Sequence, residues 1–540
     1  MKMNTKTLVL AVAAGLSFAS CTKSIEPLEK RSLAQEEIPG TENMHREDPG
    51  SFALLSSIDL GNTGAAEISA YDEKTKKLFV VNNSDGSSRI DVLDFSIPSN
   101  PVLLTSISVT TYGGFVNSVA ARDGFVAAAI EAITKTDAGK VVVFKATDYT
   151  AVKVIGVGAL PDDIKYSPDG KFIVTANEGE PNSNYTIDPM GTISIISVQE
   201  NYQVTTLDFS AFASMEAGLK SRGFRIFGPG ASFARDIEPE FIAISSDSKT
   251  AWVTLQENNG IAKVNLVHKV ITDIFPLGFK NYNMAGNAID LTDRPLGTIS
   301  FNQWPVYGVY MPDGIAVLDK VKDDDDDDDD DEDEDIVLNK GKIPYLFTAN
   351  EGDAREYTGF AEEARVSSLN LNPAIFPNAA FLKLNENMGR LNITKTLGDT
   401  GNDNIFDALY SFGARSFSVW NGNSGQLLFD TKNELEQRVV NAGYYDDDRS
   451  DSKGVEPEGI TVGTVGKSNL VFVGLERSDA VAIYDVTNPV APRFLQILAT
   501  GDAPEGVLFI PAKKSPNKRS LLVVSSENDG QVKVYMPERD

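Results

Sequence analysis

The chain has 540 residues, 41% of them hydrophobic, with 43 Gly and 25 Pro, the composition of a soluble, turn-rich globular protein. Lys+Arg number 49 against Asp+Glu 77, a net charge of −28 that argues against nucleic acid and anionic membrane surfaces as partners and favours cations or cationic surfaces. Only two histidines, His45 and His268, are present, so no chemistry built on a histidine cluster is available.

The first element is a targeting segment. Lys2 and Lys6 precede the apolar stretch "TLVLAVAAGLSFAS", which is short for a membrane span and ends in small residues before Cys21, the one cysteine. Residues 1–20 are therefore expected to be a lipoprotein signal peptide, with Cys21 lipidated as the new N-terminus. With no second cysteine there is no internal disulfide to form. Residues 21–50 are polar and aperiodic beyond the cysteine and are expected to be a flexible tether.

From residue 51 onward one pattern recurs: an acid after proline, an apolar strand, and a second apolar strand ending in glutamate. "LPDDIKYSPDGKFIVTANE" carries Asp162 and Glu178, and "EPEFIAISSDSKTAWVTLQE" carries Glu240 and Glu257. "MPDGIAVLDK" with "IPYLFTANE" carries Asp313 and Glu351. "EPEGITVGTVGKSNLVFVGLE" carries Glu458 and Glu476, and "APEGVLFIPAKKSPNKRSLLVVSSE" carries Glu505 and Glu527. Two weaker copies come earlier: "AAEISAYDEKTKKLFVVNNS", read with neither acid in register, and "VNSVAARDGFVAAAIE", which keeps Glu131. Most copies add a third strand, such as "GTISIIS" or "AVAIYDV", and several a fourth, such as "PRFLQILAT".

Four short strands recurring roughly every 45 residues predict an all-β fold, a β-propeller. Seven copies give seven blades. The stretch between Asp313 and Glu458 leaves room for an eighth, with "ARSFSVWNGNSGQLLFDT" as its outer strands. The last copy stops after "GQVKVY", while "SFALLSSIDL" near the start reads like a missing fourth strand, so strand 52–59 is expected to close the ring. The propeller, 51–540, then carries an acidic insertion at 323–335 and a long one at 352–455.

In a propeller the acid before strand one and the glutamate after strand two fall on one face, near the central opening. Asp162, Glu240, Asp313, Glu458 and Glu505 form one expected ring, and Glu131, Glu178, Glu257, Glu351, Glu476 and Glu527 another. So many carboxylates must be paired or cation-bound. Some are expected to accept hydrogen bonds from loops or to pair with Arg355, Arg415, Arg449 and Arg477. The functional expectation is a cation- or ligand-binding mouth, with Ca²⁺ the natural hard guest.

The motifs "TANEGEPN", "PVYGVYMPDGIAVLD", "TANEGDAREY", "FGARSFSVW" and "DDRSDSKGVEPEGITVG" resemble the choice-of-anchor I family, related to mesenchyme-specific cell-surface glycoproteins of animals. The resemblance covers nearly the whole mature chain. It implies an extracytoplasmic propeller with varied anchors, whose animal relatives are associated with calcium-biomineral tissue, and it assigns no catalytic residues. It also implies an aspartate-rich, Ca²⁺-type loop before "FGARSFSVW". Here that loop is "GDTGNDNIFD", with Asp399, Asp403 and Asp407 as candidate metal ligands, while Gly401 and Tyr410 stand where ligands would be lost.

The thirteen consecutive acids at 323–335 lie between the first and second strands of their copy, hence on the face opposite the rings, as a solvated loop. Removing them leaves −28 + 13 = −15, so the acidity does not depend on them. His45 falls in the tether and His268 in a turn, which disfavours dinuclear zinc and Ser-His-Asp chemistry, and there is no P-loop. The sequence thus predicts a lipid-anchored cell-envelope protein, facing either side, that binds or scaffolds with Ca²⁺. A small ligand or a protein partner at the mouth fits this reading. The alternative is a Ca²⁺-dependent hydrolase of phosphoesters or lactones.

Overall fold

A computed structural model describes residues 46–319 and 343–539. Cys21, the expected signal segment and the acidic run 323–335 lie outside the described residues. Among the described residues no helix is long and apolar enough to cross a membrane.

Seven antiparallel sheets of four strands occupy 69–108, 116–159, 161–207, 239–276, 315–430, 457–499 and, with Glu47–Asp59, 504–539. Within six of these sheets the strands pair in chain order, and in the seventh Glu47–Asp59 adds outside Gln531–Arg539. The first strand of each sheet touches the first strand of the next, and Pro504–Ile510 touches Ser69–Asp72. This is a β-propeller.

The strands are apolar on both faces because each sheet is sandwiched between two others. Along Lys77–Asn82, Leu78 and Val80 pack with Ile510, Leu521 and Val523 of the preceding sheet, while Phe79 and Val81 pack with Val126, Ala128 and Val142 of the following one. Alternation in sequence thus becomes alternation between neighbours.

Glu47–Asp59 pairs antiparallel along Gln531–Arg539, with Phe52 opposite Pro537 and Ile58 opposite Val532. The first strand begins before the tether boundary expected at residue 50: Glu47 already pairs with Arg539 and binds Arg519. "FSVWN" pairs with "YLFTA", and Leu427–Asp430 pairs in turn with "FSVWN". The segment considered for an eighth unit therefore supplies strands three and four of the Asp313 copy.

The long excursions, 208–238, 277–314, 350–416 and 431–456, all leave from the strand ends that carry the acids. Segments 277–314 and 350–416 share a second core around Leu291, Trp304, Phe376 and Met388. Buried arginines join the excursions. Arg355 meets Asp236 at 2.6 Å and Glu238 at 2.7 Å, and Arg225 pairs with Glu362. Arg225 and Arg355 also both lie over the ring of Phe227, at 4.1 and 4.4 Å.

A candidate cation site in the carboxylate mouth

The repeated T-A-N-E-G has a structural half and a charged half. Asn177 and Asn350 are fully buried; each accepts from the threonine two residues earlier and donates to hydroxyls of the third strand, Thr192 and Ser194 or Ser416 and Ser418. They latch strand two to strand three. The following Glu178 or Glu351 is presented at the strand end, and Gly179 and Gly352 turn the chain at φ of 73° and 87°.

The acids before strand one are aimed by bulges. Register jumps separate Pro161 from Ile164, Pro239 from Ile242, Pro457 from Ile460 and Pro504 from Gly506, which frees Asp162, Glu240, Glu458 and Glu505 from the ladder. Leu160, Met311, Glu456 and Ala503, each just before a proline, take left-handed φ of 45–57°, a strain of about 1–3 kcal/mol apiece.

The glycine after the acid lets neighbouring first strands close in. A Cβ on Gly459 would stand 2.1 Å from the Glu505 carbonyl oxygen, and one on Gly506 2.4 Å from that of Glu67. Gly459→Ala is expected to cost at least about 1–3 kcal/mol in urea unfolding. Gly156→Ala, whose Cβ meets nothing within 4 Å, should cost next to nothing. Equal costs would show that the close approach is not limiting.

Most of the expected ring residues are in mutual electrostatic contact. Burial, then Glu178, Glu257, Asp162 and Asp313, hold the Glu240 carboxyl well above the usual range. Burial, then Glu351, Asp162 and Glu505, do the same for Asp313. Burial, then Glu476 and Glu505, raise Glu458, while burial, Glu67 and Glu527 raise Glu505. Burial also raises Glu131, which accepts from the Phe115 amide at 3.4 Å.

The mouth has two unlike halves. In one, oxygens of Glu351, Glu456 and Glu476 lie within 4.8 Å of one another, amid cations. Lys453 is 3.0 Å from Glu351 and 3.5 Å from Glu456, Arg477 is 2.9 Å from Glu476, and Arg449 pairs with Glu456. In the other half, oxygens of Asp162, Glu178 and Glu240 converge within the same 4.8 Å, and among the described residues none of the three forms an ion pair. Lys135, which pulls the Asp162 and Glu178 pKa values down, is engaged by Glu180.

Burial pushes Asp162 up to about 7, despite a hydrogen bond with Glu240, and drives Glu178 well above its ordinary range. Glu257 faces the same group; it is 5% exposed, and its Oε2 has no hydrogen-bond partner. The adjacent Asp163 is instead fully engaged by Ser118, Lys165 and the Ile242 amide. Three converging oxygens with a fourth unsatisfied carboxylate beside them fit a hard cation such as Ca²⁺.

Two members of the mouth escape the sequence pattern. Glu67 of "AAEI", read above as out of register, belongs to the ring: burial and then Glu527 push it up to about 8, and Asn83 donates to it at 2.8 Å. Glu456 stands two residues before Glu458, and its role depends on Arg449 and Lys453 folding back onto it. Of the four arginines expected to neutralise the rings, only Arg477 meets a ring member. Arg355 serves Asp236 and Glu238, Arg415 serves Glu436 and backbone carbonyls, and Arg449 serves Glu456.

Asp399, Asp403 and Asp407 lie apart from both carboxylate groups. Asp399 accepts from the amides of Asp403 and Asn404, and Asp403 from that of Ile405. Asp407 accepts from Thr400 and Asn372, which lower its pKa. The loop's carboxylates are thus turned onto its own donors.

The profile of the choice-of-anchor I domain family matches residues 67–324 and 335–489. Gigasin-3a of Magallana gigas is 29% identical over 182 residues, which span 27% of this chain and 64% of that protein. Among solved structures, Kuenenia stuttgartiensis hydrazine synthase aligns with TM-score 0.47 and 12% identity over 89% of this chain and 97% of the other. The Toxoplasma gondii coronin WD40 domain aligns with TM-score 0.44 and 8% identity over 91% and 88%.

Proposed function

The chain belongs to the choice-of-anchor I family, and from that premise we propose that it is a lipid-anchored envelope propeller that binds Ca²⁺ at its mouth and acts as a binding or scaffold protein. Choice-of-anchor domains are cell-surface or envelope modules, and Cys21 is this chain's proposed lipid attachment. The observation that carries the cation reading is the group of Asp162, Glu178 and Glu240, converging with none of the three in an ion pair among the described residues. Its counterpart around Glu456 holds three basic groups. The strand ends hold the oxygens in place before any ion arrives, which is the preorganisation a specific site needs.

The test is the metal content of the purified full chain after dialysis against Ca²⁺ at about 0.15 M salt, where loosely held surface ions are screened. Ca²⁺ should be retained by the parent and by a chain lacking 323–335, and lost from the Asp162→Asn/Glu240→Gln double variant. Loss on Asp403→Asn alone would move the site to the Asp399 loop, and a Ca²⁺-free parent would refute the reading. Ca²⁺-dependent turnover of a phosphoester or lactone, abolished in the double variant, would make the protein a hydrolase. Anchoring has its own check: Cys21→Ser should shift the protein from membranes to soluble fractions, and unchanged membrane fractionation would sink the lipid assignment.

A further inference from the structure

The neutralised half of the mouth borders a cleft of about 610 Å³ formed by segment 443–449, the turn 476–479 and Asp502. None of Asp162, Glu178 and Glu240 lines it, so it is separate from the proposed cation site. Its size falls within the range of small-molecule sites, about 300–1,000 Å³.

Its inner wall carries two guanidinium groups backed by a buried carboxylate. Arg449 donates to Glu456 Oε1 from Nε, at 2.9 Å, and from Nη2. Arg477 lies 3.6 Å from Glu456 Oε2 through Nε and 2.9 Å from Glu476 through Nη2. Glu456 is wholly buried, so the Arg449 fork is held in a set orientation, while the buried Arg477 Nε has no hydrogen-bond partner. Among the described residues the Nη1 group of each arginine makes no hydrogen bond, and the side chains are 31% and 37% exposed. Ser478 also lines the cleft; it is 3% exposed, and its buried hydroxyl has no hydrogen-bond partner.

The outer rim has the opposite sign. Asp446, Asp479 and Asp502 stand there, exposed. The three carboxylates Glu351, Glu456 and Glu476 are already met by Lys453, Arg449 and Arg477, so this half does not call for a metal ion. A divalent cation entering the cleft would face two guanidinium groups. An inorganic anion would satisfy the arginines but would pass three aspartates and leave them unmatched.

We propose that this cleft binds a short zwitterionic peptide, its carboxylate on the free edges of Arg449 and Arg477 and its ammonium among Asp446, Asp479 and Asp502. A planar carboxylate suits the guanidinium fork. The walls of Tyr444 and Tyr445 supply apolar area between the charged ends.

The experiment is calorimetric titration of the full chain with trialanine, N-acetyl-trialanine, trialanine amide and inorganic phosphate, in the presence of EGTA. Trialanine should bind, and each blocked form should bind at least about tenfold more weakly. Arg477→Gln and Asp479→Asn should each weaken trialanine binding by a similar factor. No binding of trialanine at about 10 mM, far above the usual range for specific ligands, would overturn the proposal. So would equal binding of either blocked form or of phosphate. These comparisons on the unaltered chain keep the test decisive even if a variant misfolds, and the EGTA arm separates it from the fate of the cation site.

Discussion

Deleting residues 46–60 is expected to abolish cooperative unfolding, whereas deleting 22–45 leaves the melting curve where it was. Strand Glu47–Asp59 is the outer strand of the sheet 504–539, and its loss exposes the ladder edge of Gln531–Arg539. It also couples that sheet to its neighbour. Phe52 is 3% exposed, stacks edge-on against Phe472 at 5.3 Å, and exchanges two 2.9 Å hydrogen bonds with the Gln496 side-chain amide. In a ring of sheets the neighbours share their cores, so opening one seam weakens the two flanking cores together. Phe52→Ala should reproduce part of the effect, about 3–5 kcal/mol. At the near end, Glu47 accepts from Arg519 at 2.6 Å and from the Ser520 amide at 3.0 Å, so a deletion reaching residue 48 should already cost roughly 1–3 kcal/mol. Circular-dichroism melting of the truncated chains settles this, and superimposable curves for the 22–45 and 22–60 deletions would refute it.

The repeat was legible because each strand meets apolar neighbours on both faces, which writes four short hydrophobic runs per unit into the sequence. The ring was legible wherever a proline precedes the acid. Glu67 escaped because alanine stands in the place of proline, although the acid reaches the same mouth. Glu456 escaped because its meaning lies in three-dimensional neighbours, Arg449, Lys453 and Arg477, rather than in a spacing. The excursion core was opaque for another reason. Its strands Glu356–Tyr357, Phe360–Ala361 and Glu363–Arg365 are two or three residues long, too short for any period to emerge. Helix Glu434–Ala442 did leave a signal, with Asn433 before it and Gly443 after it at φ 81°, but one short helix in a β chain is easily passed over.

The ion-free protein is expected to lose stability as pH rises from about 4 to about 8, and Ca²⁺ is expected to cancel that loss. A carboxyl whose pKa is raised by folding favours its neutral form in the native state. Its contribution is fully present below its ordinary value, 3.8 for Asp or 4.5 for Glu, and is lost as pH climbs through the folded value. Asp162 and Glu476 are pushed to about 7 and Glu67 to about 8, with Glu178 and Glu240 also raised, which sets the window. Burial holds Asp188 and Asp290 at about 6 and Glu238 at about 8, and these act in the same direction outside the mouth. With only two histidines in the chain, carboxyls dominate the titration. A cation among Asp162, Glu178 and Glu240 replaces protons, so its binding should release them and tighten with pH. At a free Ca²⁺ of 100 times Kd the stabilisation is about 2.7 kcal/mol, expected at pH 8 and nearly absent at pH 5. Glu178→Gln with Glu240→Gln keeps the size and removes the charge. That double variant should melt higher than the ion-free parent at pH 8, match it at pH 5, and give no Ca²⁺ response. Melting temperatures across this pH range with EGTA or Ca²⁺ decide the matter. A parent whose ion-free melting point is flat with pH, or a variant that responds to Ca²⁺ as the parent does, would leave these carboxylates as structural acceptors and remove the cation from the mouth.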